Sequence, residues 1–204
     1  SLSITAKVIA AIALSIFIVG ISDKSAYADN LIENGDFSHN PPWFRWSRQI
    51  GYGINLTDNY AIATNSICYP GGQNGNPAAA MYPYGNLVTA IEQSVELPAN
   101  YSYTFSFLEW GQLYPTTVTV KIYDGNNDLH TLGSFTPAQL IQDSQGHCTG
   151  DGPQLKEFDL SEWAGQDVVI RIEATSPRAY GDSSWAYFDN ISIEGFRGVT
   201  GSVN

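Results

Sequence analysis

Three histidines, two cysteines and twenty acidic side chains are the groups in this 204-residue chain that could do acid–base, metal or nucleophilic chemistry. Their spacing argues against most of it. His39, His130 and His147 stand isolated, and none sits in an H-E-x-x-H or i, i+4 arrangement. There is no G-x-S-x-G elbow, and no glycine loop with a following lysine that would cradle phosphate. Two carboxylates facing each other across a cleft could share acid and base roles. Glu92, Glu96, Glu109 and Asp124 have the right type, but nothing in their spacing sets any two of them face to face. Enzyme activity is therefore not expected. Cys68 and Cys148 lack the close spacing of a zinc-ligand pair. In an oxidising compartment they are expected to form a disulfide, whose closed loop would stabilise the fold by about 4–5 kcal/mol. Asn55 and Asn100 begin N-x-[ST] sequences in turn-like segments and are candidate glycosylation sites. Asn190 begins a third and is read as structural.

Non-covalent chemistry remains. Several rings lie outside the clearest strand patterns: Trp43, Trp46, Tyr69, Tyr82, Tyr84, Trp110, Tyr114, Tyr180 and Trp185. Tyr82 and Tyr84 fall in the charge-poor segment Gly71 to Gly85, which reads as a long exposed loop. Trp110 and Tyr114 end a strand and are expected at its rim, with Glu109 and Gln112 as polar neighbours. These four are the candidate ligand-binding residues, because a ring face covers apolar surface while polar neighbours fix orientation. Arg45 and Arg178 could add bidentate contacts.

The elements that would position such rings are strands. Tyr101, Tyr103, Phe105 and Phe107 alternate with Ser102, Thr104 and Ser106, a period of two that gathers the aromatics on one face. Thr117 to Tyr123 (TVTVKIY) alternates again and stops at Asp124-Gly125-Asn126-Asn127, a turn signal. Leu87 to Leu97, Val168 to Ala174 and Trp185 to Ile193 supply further strands, with Pro98-Ala99-Asn100 and Gly150 to Pro153 as turns. Only Pro137 to Asp143 and Ser161 to Ala164 read as short helical turns. The expected fold is all-β, an antiparallel two-sheet β-sandwich or jelly roll.

Composition narrows the partners. Nine basic residues against twenty acidic ones give a formal net charge of −11, which excludes nucleic acid, since binding it needs cations that displace counterions from phosphate. With 43% hydrophobic and 14% charged residues, a disordered acidic tail is excluded too. At the N-terminus, Lys7 precedes the apolar run Val8 to Ser22, and Ala26-Tyr27-Ala28 follows. This is the pattern of a signal peptide cleaved before Asp29; the run is short for a spanning helix. The expected organisation is a signal peptide over 1–28, a β-sandwich over 29–195 and a Gly-rich tail over 196–204. The protein is expected to be secreted or at the cell surface, with a membrane partner only if residues 1–28 are retained.

Four segments in register carry a resemblance. Asn30 to Ser38 (NLIENGDFS), Ala90 to Phe107, Leu155 to Thr175 and Trp185 to Gly195 (WAYFDNISIEG) together resemble the galactose-binding-like jelly roll of secreted carbohydrate-binding modules, most nearly those of families four, nine and twenty-two. The resemblance implies a noncatalytic domain that binds a polysaccharide or glycan, with aromatic rings lying on the apolar face of the sugar. It also implies a structural calcium where the first strand meets the last, with Asp189 at the position that supplies a carboxylate and with Asp36 and Glu33 able to compensate for a family ligand this chain lacks. The family usually carries Glu where this chain has Ser38. An alternative is a structural subunit of an extracellular filament, sheath or surface layer, in which copies of the chain would be the partners.

Overall fold

The computed structural model describes residues 27–28, 30–39, 45–50, 78–83, 85–114, 116–142, 144–145, 148–177 and 184–197; of these, 27, 28, 48–50, 113, 142 and 148 are described by backbone alone. Among the described residues, twelve strands and one short 3₁₀ turn are formed. They are β1 (Tyr27–Ala28), β2 (Ser47–Ile50), β3 (Ala79–Met81), β4 (Thr89–Leu97), β5 (Ser102–Leu113), β6 (Thr117–Tyr123), β7 (Leu129–Phe135), β8 (Leu140–Gln142), β9 (Cys148–Gly150), β10 (Gln154–Asp159), β11 (Gln166–Thr175) and β12 (Ser184–Phe196), with the 3₁₀ turn at Ser161–Trp163. One sheet has the order β1-β12-β5-β10, with β3 also on β12. The other has the order β2-β4-β11-β6-β7, and β8-β9 form a small separate hairpin. All strand pairings within the two sheets are antiparallel, so the expected two-sheet sandwich is the observed one.

The alternating sequences decide which faces meet. Tyr103, Phe105 and Phe107 of β5 are at most 1% exposed, and so are Val118, Val120 and Ile122 of β6. They join Ile91, Val95 and Leu97 of β4, Ile170 and Ile172 of β11, and Phe188 and Ile193 of β12 in one core. Burial of this apolar area is the main force closing the sandwich. Phe107 shows how tightly it is filled: its ring meets Phe105 at 5.4 Å, Phe188 edge-on at 5.7 Å and Phe158 at 6.0 Å.

Two local expectations fail, each because tertiary pairing overrides local composition. Pro137 to Gln142 is not a helical turn, and Asp143 lies outside the described residues. The Ala138 carbonyl accepts from Gly111 N–H at 2.8 Å, Gln139 bridges Gly111, and Leu140–Gln142 pairs with β9. Gly71 to Gly85 is not wholly an exposed loop either. Ala79–Met81 forms β3 against β12, and Ala78, Ala79 and Met81 are fully buried. Three residues are too few to show a period, and alanines give no strand signal. Residues 71–77 lie outside the described residues.

The N-terminal segment closes the first sheet. Leu31 N–H donates to Ile193 at 3.0 Å, and Ile191 N–H donates to Gly35 at 3.0 Å. Gly35 must be glycine for that approach, since an added Cβ would stand 1.8 Å from the Ile191 carbonyl oxygen. Further out, Tyr27 and Ala28 pair with Phe196 and Gly195. These are the residues just before the expected cleavage point, so cleavage there would remove β1.

Candidate functional site

The two outer faces of the sandwich carry different chemistry. On the outside of the first sheet, Trp110 and Tyr187 stand opposite each other on β5 and β12, with rings parallel within 5° and centroids 5.2 Å apart. The row continues through Trp185, 6.0 Å from Tyr187, to Tyr82, 4.9 Å from Trp185. Ala78, Ala80 and Leu140 pack around Trp110 and Tyr187 into a second apolar cluster. Trp110 is 1% exposed and Tyr187 7%. The Tyr187 hydroxyl donates to Gln112 Oε1 at 3.1 Å, and burial pushes its pKa up to about 12.

Leu140 packs into this cluster, and the segment leading to it runs beside β5 and is held by Glu109. Glu109, with no exposed surface, accepts from Ala138 N–H at 3.1 Å and pairs with Lys156 Nζ at 3.4 Å. Burial pushes its carboxyl above the usual range, against the pull of Lys156 and the Ala138 amide.

The outside of the second sheet is polar. Antiparallel pairing sets Arg171 between Glu92 and Lys121. Arg171 donates through Nη1 to Glu92 at 2.7 Å and through Nε to Glu173 at 2.6 Å, while Lys121 reaches the other Glu173 oxygen at 2.5 Å. Arg171 and Glu173 are 5% and 9% exposed. Burial alone would raise the Glu173 carboxyl; the hydrogen bonds and charges of Lys121 and Arg171 outweigh it and hold the group low. The four side chains satisfy one another and make a fixed floor.

Beside this floor lies a groove of about 330 Å³ lined by Ser94, Glu96, Tyr123, Asp124, Asn127, Asp167 and Val169. Tyr123, Val169 and Ser94 share one row across β6, β11 and β4; Asp167 and Glu96 oppose each other in the neighbouring row. Tyr123 is half-buried, and Ser94, Glu96, Asn127 and Asp167 are exposed. The β6–β7 turn supplies the rim. Asp124 Oδ1 accepts from the Asn126 and Asp128 amides at 2.9 Å, and its Oδ2 meets His130 Nε2 at 3.0 Å. The Asp128 amide above all, with His130 and the Asn126 amide, holds the Asp124 carboxyl below its ordinary range.

The expected site residues are distributed differently from the sequence reading. Tyr82 is half-buried against Trp185. Trp110 is not at a rim but inside the second cluster, because Ala78, Ala80, Leu140 and Tyr187 pack around it. Tyr114 is 37% exposed at the end of β5, and Tyr84 lies outside the described residues. The expected cysteine pair also lies outside them, Cys68 wholly and Cys148 in its side chain, as does Asn55. Asn100 sits in an exposed turn at φ +70°. Tyr123 and Asp167 were not singled out, although the TVTVKIY alternation that buries Val118, Val120 and Ile122 necessarily turns Tyr123 outward.

The carboxylates expected at a calcium ion each make a local contact. Glu33 pairs with Arg45 at 2.8 Å, Asp36 Oδ1 accepts from Ser38 N–H at 3.2 Å, and Asp189 Oδ1 accepts from Asn190 N–H at 2.7 Å. No three His, Cys, Asp or Glu side chains among the described residues are grouped so as to hold a metal ion.

No protein-family model and no curated protein matches this chain. Solved structures do. A family 61 carbohydrate-binding module in complex with β-1,4-galactotriose is 18% identical with a TM-score of 0.52, covering 84% of this chain and 100% of its own. The K3 cleaved adhesin domain of Lys-gingipain from Porphyromonas gingivalis W83 is 16% identical with a TM-score of 0.52, covering 82% of this chain and 99% of its own. The apo form of a cyclase from Fischerella sp. is 14% identical with a TM-score of 0.50, covering 85% of this chain and 98% of its own. The chain has the galactose-binding-like jelly-roll fold. At these identities the likeness is one of fold, and a fold shared by a binding module, an adhesin domain and a cyclase leaves function to the site. Among the described residues, no helix is long and apolar enough to cross a membrane.

Proposed function

We propose that this chain is a secreted, noncatalytic module that binds a polysaccharide or glycan, with the sugar seated in the groove beside Tyr123. The observation carrying this reading is the groove itself: one half-buried aromatic ring next to exposed Ser94, Glu96, Asn127 and Asp167. A pyranose has an apolar C–H face that suits such a ring and hydroxyls that suit the surrounding acceptors and amide. The fixed floor of Glu92, Arg171, Glu173 and Lys121 supports it, because a preorganised surface spends little binding energy on ordering itself. The likeness to a module seen with β-1,4-galactotriose agrees with the class of ligand. Secretion is supported by Lys7, the apolar run Val8 to Ser22 and the Ala26-Tyr27-Ala28 site.

A panel of neutral and charged oligosaccharides, titrated calorimetrically against the wild type and Tyr123→Ala, tests the reading. The wild type should bind at least one member, and Tyr123→Ala should lose about tenfold or more in affinity. Unchanged binding by Tyr123→Ala would move the site elsewhere on the sandwich.

A further inference from the structure

We propose that the Tyr123 groove takes a cationic amino sugar, a hexosamine unit carrying a free protonated amine. The inference rests on the glycan reading of the same groove and names the charge class of its ligand. Glu96 and Asp167 are directly opposite each other in the β4–β11 register, and both are exposed. Like charges placed this way on a sheet repel and weaken the pairing. No ion pair among the described residues relieves them. Lys121 and Arg171 are engaged by Glu173 and Glu92, and Lys156 by Glu109 inside the sandwich. Asp124 brings a third carboxylate to the same groove.

A repulsive pair left open beside an aromatic ring suits an external cation. The carboxylates are not grouped as a metal ion requires, which favours a cation carried on a larger body. The Glu96–Asp167 row lies two residues along the strands from the row holding Tyr123, a step of about 7 Å, and Tyr123 on β6 stands a further strand spacing of about 5 Å to the side of Asp167 on β11. Adjacent units of an oligosaccharide can therefore set one sugar on the ring and the ammonium substituent of the next at the two carboxylates. The same arrangement repels uronic acids and gives a neutral sugar only hydrogen bonds.

The test compares three oligosaccharides of equal length by titration calorimetry: β-1,4-linked glucosamine, its fully N-acetylated counterpart and β-1,4-linked glucose. The free-amine oligomer should bind about tenfold more tightly than either neutral one, from two exposed charge contacts of ordinary strength. Asp167→Asn and Glu96→Gln should each reduce that preference about threefold, and Tyr123→Ala should abolish binding of all three. Glu157→Gln, on the outer face of the other sheet, should leave the preference intact. If the neutral oligomers bind as tightly as the amine through Tyr123, the charge inference is overturned while the glycan reading stands. If no oligosaccharide of any class binds, both fall. An equal loss in Glu157→Gln would mean diffuse attraction between a polycation and an acidic protein, and would overturn the inference. So would stoichiometric displacement of the amine oligomer by calcium, which would mark a metal site.

Discussion

The two outer faces of this sandwich are built on equally regular strands and differ in what covers them. On the first sheet, aromatic side chains stand in a row in which Trp110 and Tyr187 are covered by Ala78, Ala80 and Leu140, while Trp185 and Tyr82 stay half-buried. On the second, the side chains are charged and interlocked, and beside them a groove stays open around one tyrosine. A ring that neighbours have already covered contributes to stability, and a ring left half-covered beside polar groups is available to a ligand.

The largest effect separating the faces should come from Trp110→Ala. Truncating this ring leaves a cavity between Tyr187 and Leu140, and chemical denaturation should show a loss of about 3–5 kcal/mol, with glycan affinity of the folded protein unchanged. A loss of affinity without loss of stability would reverse the assignment of the two faces.

Acidity should discriminate next. Glu109 beneath the first face has a folded-state pKa raised by burial. The cost of burying its charge weighs on the fold above that pKa and is lifted as pH falls through it. Glu173 and Asp124 on the second face have lowered values. Their stabilisation is present above the ordinary carboxylate range and is lost as pH falls through their folded values. Urea denaturation of wild type and Glu109→Gln between about pH 7.5 and pH 4.5 should show the substitution favouring the fold more at the upper end than at the lower. A constant difference would mean that Glu109 does not titrate in that window.

The smallest effect should be a gain. Asp167→Asn removes the repulsion across from Glu96 and should stabilise the protein by about 0.2–1 kcal/mol, read as a raised melting temperature. A lowered melting temperature would show that Asp167 is held by a favourable contact and is not strained.

Much of the fold was legible because its longest strands advertise a period of two. TVTVKIY gives both ends of β6, and YSYTFSF gives the buried row of β5. Elements that depend on a distant partner were not legible. Ala79–Met81 is a strand because β12 lies beside it, and Leu140–Gln142 because segment 137–139 is drawn onto β5. The candidate site divides the same way. Tyr123 could have been read as outward-facing from its own strand. That Asp167 confronts Glu96 depends on the register of two strands far apart in the chain, which no local pattern records.

The Asp124 turn has a kinetic consequence. Its carboxylate gathers the Asn126 and Asp128 amides and the His130 ring, and that ring rests 5.7 Å from the ring of Trp163, which is only 8% exposed. The rim of the groove is thus tethered to the interior by a short relay of contacts. A ligand arriving at it meets a wall already in place and need not wait for a loop to close. Association should then follow a single diffusive step, and differences in affinity between sugars should appear almost entirely as differences in how long each one stays.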